Sequence, residues 1–132
     1  MIDILDESEC FALLGSTTVG RVGIMRSGRI EIIPVNYRLD GRDVLLRTKA
    51  EGALAGLPDE PTVAFEVDHH DDLAGTGWNV LLNGTVRAMT PDEVSSMPGA
   101  LRVRPWAGGE RELWLRFTAD QVSGRRVRRS QA

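Results

Sequence analysis

The segment Arg47-Thr48-Lys49-Ala50-Glu51-Gly52 places a guanidinium, a hydroxyl and an ammonium on consecutive residues, just ahead of a stretch of helical composition. A strand passing into a short helix here would aim free backbone N–H groups at the same spot, and that convergence suits an anion, a phosphate above all. The alternative is a solvated strand end. The tryptophans Trp78, Trp106 and Trp114 follow glycine- or proline-containing stretches or occupy a strand face, where a planar ring can cover a flat ligand or fill a core. The run Asp68-His69-His70-Asp71-Asp72 contains metal-ligating side chains, but adjacent histidines on extended chain point to opposite faces, so no metal site is expected. There is no nucleophile elbow, no phosphate-binding Gly-Lys-Ser/Thr loop and no dinucleotide fingerprint, and Ser8, Ser16 and Ser27 have no evident base partner. No catalytic residue stands out. Chemistry in this chain would belong to a bound cofactor, with the protein supplying position and electrostatics.

Size and charge narrow the function classes. With 132 residues the chain can bury one sizeable core and not two, so a single domain spanning residues 1–132 is expected. No run approaches the roughly 20 apolar residues that cross a bilayer, so no membrane partner is expected. The acidic opening Met1-Ile2-Asp3-Ile4-Leu5-Asp6-Glu7 is unlike a secretory signal, which points to the cytoplasm. A net charge of −3 argues against a nucleic-acid partner, because phosphate backbones call for concentrated basic surface. From Leu101 onward, however, eight arginines stand against three acids, so this third of the chain can face an anion, with a basic tail from about Arg125. Cys10 has no disulfide partner and reads as a buried helix residue.

The elements that must hold these residues are mostly strands. Asp6 caps a short helix, with Glu9 at its third position and Leu5 and Cys10 spaced as a hydrophobic staple; Gly15 ends it. Thr18 to Met25 and Ile30 to Leu39 form a hairpin around Arg26-Ser27-Gly28-Arg29, and Asp40-Gly41 turns the chain into Asp43 to Thr48. Pro34 within the second strand marks an edge, a bulge or a break. Ala50 to Leu57 reads as one or two helical turns, Thr62 to Val67 as a half-buried strand, and Gly77 to Met89 as a strand bent near Gly84. Thr90-Pro91-Asp92-Glu93 starts another short helix with a capping box. Glu112 to Thr118 alternates Leu113, Leu115 and Phe117 against Trp114 and Arg116, and Gln121 to Val127 can add a last strand. Six to seven antiparallel strands with short flanking helices suggest a closed or nearly closed β-barrel.

The succession Pro34-Val35-Asn36-Tyr37, Arg47-Thr48, Val63 to Asp68, Gly77-Trp78-Asn79-Val80, Pro105-Trp106 and Trp114-Leu115-Arg116 resembles the pyridoxamine 5'-phosphate oxidase-like flavoproteins, from about Thr18 to Gly124. The resemblance implies a split β-barrel that binds flavin mononucleotide (FMN) in the seam of a homodimer. It implies that Arg47 and Thr48 contact the cofactor phosphate and ribityl chain, with Lys49 beside them, and that Asn36 and Tyr37 lie along the ring. Trp78 and Asn79 match a Trp-Ser pair of such proteins, Trp106 and Arg116 match residues reaching the flavin from the partner subunit, and Arg111 resembles a contact to an anionic substrate. Many relatives carry a phosphate-binding lysine in the stretch that here reads Glu51-Gly52-Ala53.

Two classes of function follow. One is an FMN-dependent oxidoreductase acting on a small molecule, with deazaflavin F420 as the alternative cofactor; the other is a non-catalytic dimer that binds a flavin, a deazaflavin or heme. Pyridoxamine phosphate oxidation itself is a narrower reading, because such enzymes are generally longer.

Overall fold

The computed structural model describes residues 1–98 and 112–129. Turn chemistry sets its first sheet contacts. Strands β2 (Val19–Arg26) and β3 (Arg29–Asp40) are joined through Ser27 and Gly28, both at positive φ (51° and 76°), the mirror-image turn that matches the twist of a hairpin. Gly41, at φ 61°, does the same between β3 and β4 (Asp43–Lys49). β5 (Val63–Asp71) and β6 (Thr76–Ala88) form a further hairpin, and β7 (Glu112–Arg128) runs for 17 residues.

Among the described residues every strand pairing is antiparallel. The order β7-β4-β3-β2-β5-β6 returns to β7 through the β6–β7 ladder, so β2 to β7 close a ring. β4 pairs with Glu112 to Thr118 at one end of β7, while the short strand β1 (Ile2–Ile4) takes over the same edge at Arg125 to Val127. The sequence divides β7 into two strands. The structure makes one, and the register shift between Asn83 and Gly84, opposite Gln121 and Ala119, leaves Asp120 as the extra residue that bends it. Pro34 lies on an edge as expected: β3 pairs with β4 only from Tyr37 onward, so at Pro34 its one sheet neighbour is β2.

Alternation fills the ring. Val22, Ile24, Tyr37, Val44, Leu46, Phe65, Val67, Val80, Leu82, Leu115 and Phe117 point inward and are buried. Tyr37 meets Phe65 edge to face at 5.0 Å between ring centroids, and Phe65 meets Phe117 at 6.0 Å. Gly20 makes room for this stack, because a Cβ there would lie 2.6 Å from Phe65 Cζ. Helix α1 (Glu7–Leu14), capped by Asp6 accepting from the Glu9 N–H at 2.8 Å, closes one end with buried Leu5, Cys10 and Leu14. Burial, helped by Asp6, Glu9 and Glu7, pushes the Cys10 thiol up, so it stays protonated as an apolar filler.

The stretch Ala50 to Leu57 departs from the helical expectation. It is a string of turns in which the N–H groups of Gly52, Ala55 and Leu57 donate to Lys49, Gly52 and Leu54, ending in a single 3-10 turn at Leu57–Asp59. Glycines at positions 52 and 56 and Pro58 deny it a continuous helix, yet Leu54 and Leu57 still seal the barrel.

The second helix, α2 (Pro91–Ser95), has the full capping box between Thr90 and Glu93. Arg87 reaches from β6 to grip the same Glu93 carboxylate with two hydrogen bonds, at 2.8 and 2.7 Å. It packs over the outside of the ring, where Leu45, Met89, Met97 and Trp114 form a second apolar cluster with Val94.

Two outcomes test this account. Gly84→Ala would place a Cβ 2.0 Å from the Thr118 carbonyl oxygen, so urea unfolding should show a loss of about 1–3 kcal/mol or more, whereas Gly23→Ala, with 3.5 Å to the nearest atom, should be close to neutral. The Arg87 guanidinium and the Thr90 backbone hold the Glu93 carboxyl down at about 2, below its ordinary 4.5. Because the folded-state value is the lower one, the contribution of this cap is complete above pH 4.5 and is lost as pH falls toward 2. Hydrogen exchange at the Glu93 and Val94 amides should therefore accelerate across that window in the native chain and show no such transition in Glu93→Gln.

Candidate functional site

The outer face of β4 and β7 carries the polar residues that the ring leaves outside. Leu45 and Arg47 alternate outward along β4, and Arg116 and Trp114 are their partners across the ladder. Arg47 lies over Trp114, its guanidinium carbon 5.4 Å from the ring centroid, and is ion-paired with Glu112. Arg116 sits one row along the same face and donates to Asp43 and to Asp40, each at 2.8 Å. Its next neighbour, on β6, is Arg87.

Both arginines are largely buried, with side-chain exposures of 13% for Arg47 and 15% for Arg116. Burial lowers the pKa of Arg47, whereas Asp40 and Asp43 more than offset the burial of Arg116 and leave its pKa raised. Neither shift uncharges a guanidinium at neutral pH. Among the described residues, the buried side-chain polar atoms without a hydrogen-bond partner are Arg47 Nε and Arg116 Nε. A buried donor left unpaired is costly, so each marks a place where an oxygen from outside this subunit's described residues would be welcome.

The remaining expected contacts fall in other places. Thr48, next to Arg47, faces the opposite side of the strand, toward the connector, where a Cβ on Gly52 would lie 2.8 Å from its hydroxyl oxygen. Lys49 is exposed at the end of β4, and Ala53, in the stretch where the resemblance leads one to expect a lysine, is exposed on the connector with its carbonyl accepting from Arg26 at 2.6 Å. Tyr37 is a core residue whose hydroxyl is used by Thr17, at 2.7 Å, and by the Leu14 carbonyl; burial raises its pKa, so it neither touches a surface ligand nor ionises. Asn36, one residue before it, is exposed on the outer side of β3. Trp106 and Arg111 lie outside the described residues.

Trp78 and Asn79 are at the far end of β6. Trp78 turns partly into the main core, its ring 6.3 Å from that of His69. Asn79 turns outward and lines a hollow of about 210 Å³ with Asp68, His70, Gly77, Arg125 and Val127. Gly77 leaves the hollow open, since a side chain there would meet His70 and Val127. Arg125 joins Asn79 through the β6–β7 register, a placement that the sequence reading assigned only to a basic tail. Glu112, the partner of Arg47, carried no distinguishing signal in the sequence either. Among the described residues no group of three or more His, Cys, Asp or Glu side chains could hold a metal ion. No helix of the described residues is long and apolar enough to cross a membrane.

Comparison with known proteins gives one consistent answer. The sequence profile of the pyridoxamine 5'-phosphate oxidase family matches residues 6–126. An uncharacterized protein of Mycobacterium tuberculosis is 30% identical over 129 residues, covering 93% of this chain and 84% of that one. The FAD binding protein of Mycobacterium smegmatis superposes with a TM-score of 0.82 at 30% identity, covering 96% of this chain and 100% of that one. A conserved protein of unknown function from Corynebacterium diphtheriae gives a TM-score of 0.77 at 32% identity, over 94% and 96% of the two chains. The closed antiparallel ring, the outward arginines of β4 and β7 and a profile match over nearly the whole sequence lead to the same place: this chain belongs to the pyridoxamine 5'-phosphate oxidase family and has its split β-barrel fold.

Proposed function

We propose that this chain binds FMN in the seam of a homodimer and works as a flavin-dependent oxidoreductase on a small anionic molecule. The observation that carries the reading is the pair of unpartnered donors, Arg47 Nε and Arg116 Nε, on one outer face at either side of Leu45 and Trp114. They belong to the two arginines that the family resemblance assigns to a cofactor, Arg47 to the flavin of its own subunit and Arg116 to that of the partner. The flavin as ligand class is supported by the M. smegmatis relative, a FAD binding protein aligned over its whole length.

In this reading the flavin supplies two-electron chemistry, and the chain supplies binding and orientation. Arg47 offers its free Nε–H to a phosphate oxygen while Glu112 keeps the guanidinium in place; Lys49 adds a second cation at the strand end. Trp114 and Leu45 give an apolar floor between the two arginines. Asn79 stands eight residues from Arg87 along β6, a distance of roughly 25 Å at about 3.3 Å per residue, so one cofactor cannot reach both ends of that strand within one subunit. A dimer resolves this, because the partner's equivalent end can complete the site. The face such a partner could cover is apolar: Val19, Met25, Ile30 and Ile32 on the outside of β2 and β3 are 55%, 58%, 71% and 67% exposed.

The visible spectrum of freshly purified protein, with mass identification of any released cofactor, tests the reading. Titration with FMN, FAD and deazaflavin F420, followed by fluorescence, should show binding in the micromolar range or tighter. Arg47→Ala should weaken it by about one to two decades, the scale of a charge-assisted contact worth about 1.5–3 kcal/mol, and Ala53→Lys should tighten it by about one decade. Colourless protein that leaves the fluorescence of all three cofactors unchanged would sink the proposal. Binding without substrate-linked reduction of the flavin would remove the oxidoreductase half of it.

A further inference from the structure

The contacts proposed on the outer face of β4 and β7 are covered. Arg47 Nε and Arg116 Nε are buried, and the apolar floor between the two arginines, Leu45 and Trp114, is only 1% and 9% exposed. A flavin cannot reach that floor while it is packed against Met89, Val94 and Met97, the apolar residues at and around α2. Whatever covers a binding surface must move before a ligand binds there, so the way α2 is fastened bears directly on binding.

The fastening has an apolar and a polar part. Val94 and Met97 pack with Leu45 and Trp114, but α2 has five residues, too few to hold a helix without support from its surroundings. Arg87, outward on β6, donates to both carboxylate oxygens of Glu93 at 2.8 and 2.7 Å, and the same carboxylate accepts from the Thr90 N–H at 3.1 Å. One side chain thus ties the helix to the ring and closes its capping box. Across the β6–β7 ladder Arg87 stands directly opposite Arg116, which Asp40 and Asp43 hold. Like charges in that position repel, and Glu93 relieves Arg87 of the repulsion while α2 is down. The pair also opens without stranding a charge, because Arg87 and Glu93 are already 54% and 31% exposed.

We infer that α2 is a cover over the proposed flavin site, latched by Arg87 and Glu93, and that ligand binding opens it. The inference rests on the flavin reading above and adds the control of access to that site. With the latch open, Val94 and Met97 leave Leu45 and Trp114, and the ligand takes over the apolar contact that they gave. The donors at Arg47 Nε and Arg116 Nε come within reach of ligand oxygens in the same step. The floor is therefore shielded from water in both states, by α2 or by the ligand, and the buried donors go unpaired only while α2 is down. Because only the open fraction of the chain can bind, the apparent affinity is reduced by that fraction, and loss of the latch raises it.

Arg87→Gln and Glu93→Gln each break the latch, and they shift the local charge in opposite directions. Riboflavin carries no phosphate and does not feel that difference. In fluorescence titrations of the full chain both variants should bind riboflavin about two to five times more tightly than the native chain does, the scale of one exposed ion pair. A second measurement needs no variant. The Val94 and Ser96 amides, which donate to the Thr90 and Asp92 carbonyls within α2, should exchange hydrogen faster in the native chain saturated with FMN than in the free chain. Riboflavin binding that is equal or weaker in either variant, or α2 amides that FMN leaves unchanged or slows, would overturn the cover and leave the flavin reading standing. A native chain that binds neither FMN nor riboflavin would overturn the cover and the FMN reading together.

Discussion

Closure of the ring depends on a single close approach, that of Gly84 on β6 to Thr118 on β7. These strands share the longest ladder in the structure, from Ala88↔Leu115 to Thr76↔Arg128, and no Cβ fits where they meet at the register shift. The bend inserted there, with Asp120 as the extra residue, lets β7 serve β4 at its beginning and β1 at its end. Without it β7 would continue straight past one neighbour, leaving unpaired edges on a small barrel whose core consists of what the six strands point inward. Phe65, Tyr37 and Phe117 can stack only if the ring is closed around them.

Closure also decides which residues are free to act. A residue pointing inward is committed to packing, so function is left to the alternate positions and to the connectors. This removes Tyr37 from the surface and leaves Asn36 on it; it also sends Arg47 outward and Thr48 the other way. On the outer face of β4 and β7 the second cluster under α2 does for Arg47 and Arg116 what a core does for an apolar side chain. It buries their stems against Trp114 and Leu45 and fixes where the guanidinium groups lie. Their charges are then only partly satisfied by Glu112, Asp40 and Asp43, and directional donors remain unused.

Much of this was legible in the sequence because it was written in local chemistry. The Ser27-Gly28 and Gly41 turns, the Asp6 cap and the Thr90 to Glu93 capping box depend on a few adjacent residues, and all form as read. Alternation identified the inner and outer faces of Glu112 to Thr118 correctly, Trp114 and Arg116 included. What could not be read depends on long-range register. The union of two short strands into β7 needs Gly84 opposite a bulge, and the pairing of Arg47 with Glu112 spans the β4–β7 ladder. The composition of the connector from Ala50 to Leu57 permits one or two helical turns, whereas its two glycines and the burial of Leu54 and Leu57 favour successive tight turns. The family resemblance supplied candidate site residues that spacing alone did not, and it placed at one cofactor side chains that one subunit holds at opposite ends of β6.

The end of β4 also sets what kind of binding the proposed site can use. Arg47 and Lys49 bring two positive charges, and Glu51 and Glu112 bring two negative ones, so the segment has no net charge with which to draw in a phosphate from a distance. Long-range attraction between opposite charges is therefore weak here, and salt would screen what there is. Affinity must come from short-range terms: a donor already dehydrated and fixed in direction at Arg47 Nε, and apolar contact with Trp114 and Leu45. An alanine at position 53 fits that balance. A lysine there would add a further positive charge; in its place the proposed site would rely on fit to a preformed donor, a consequence of fixing Arg47 between Trp114 and Glu112 on the outside of a closed ring.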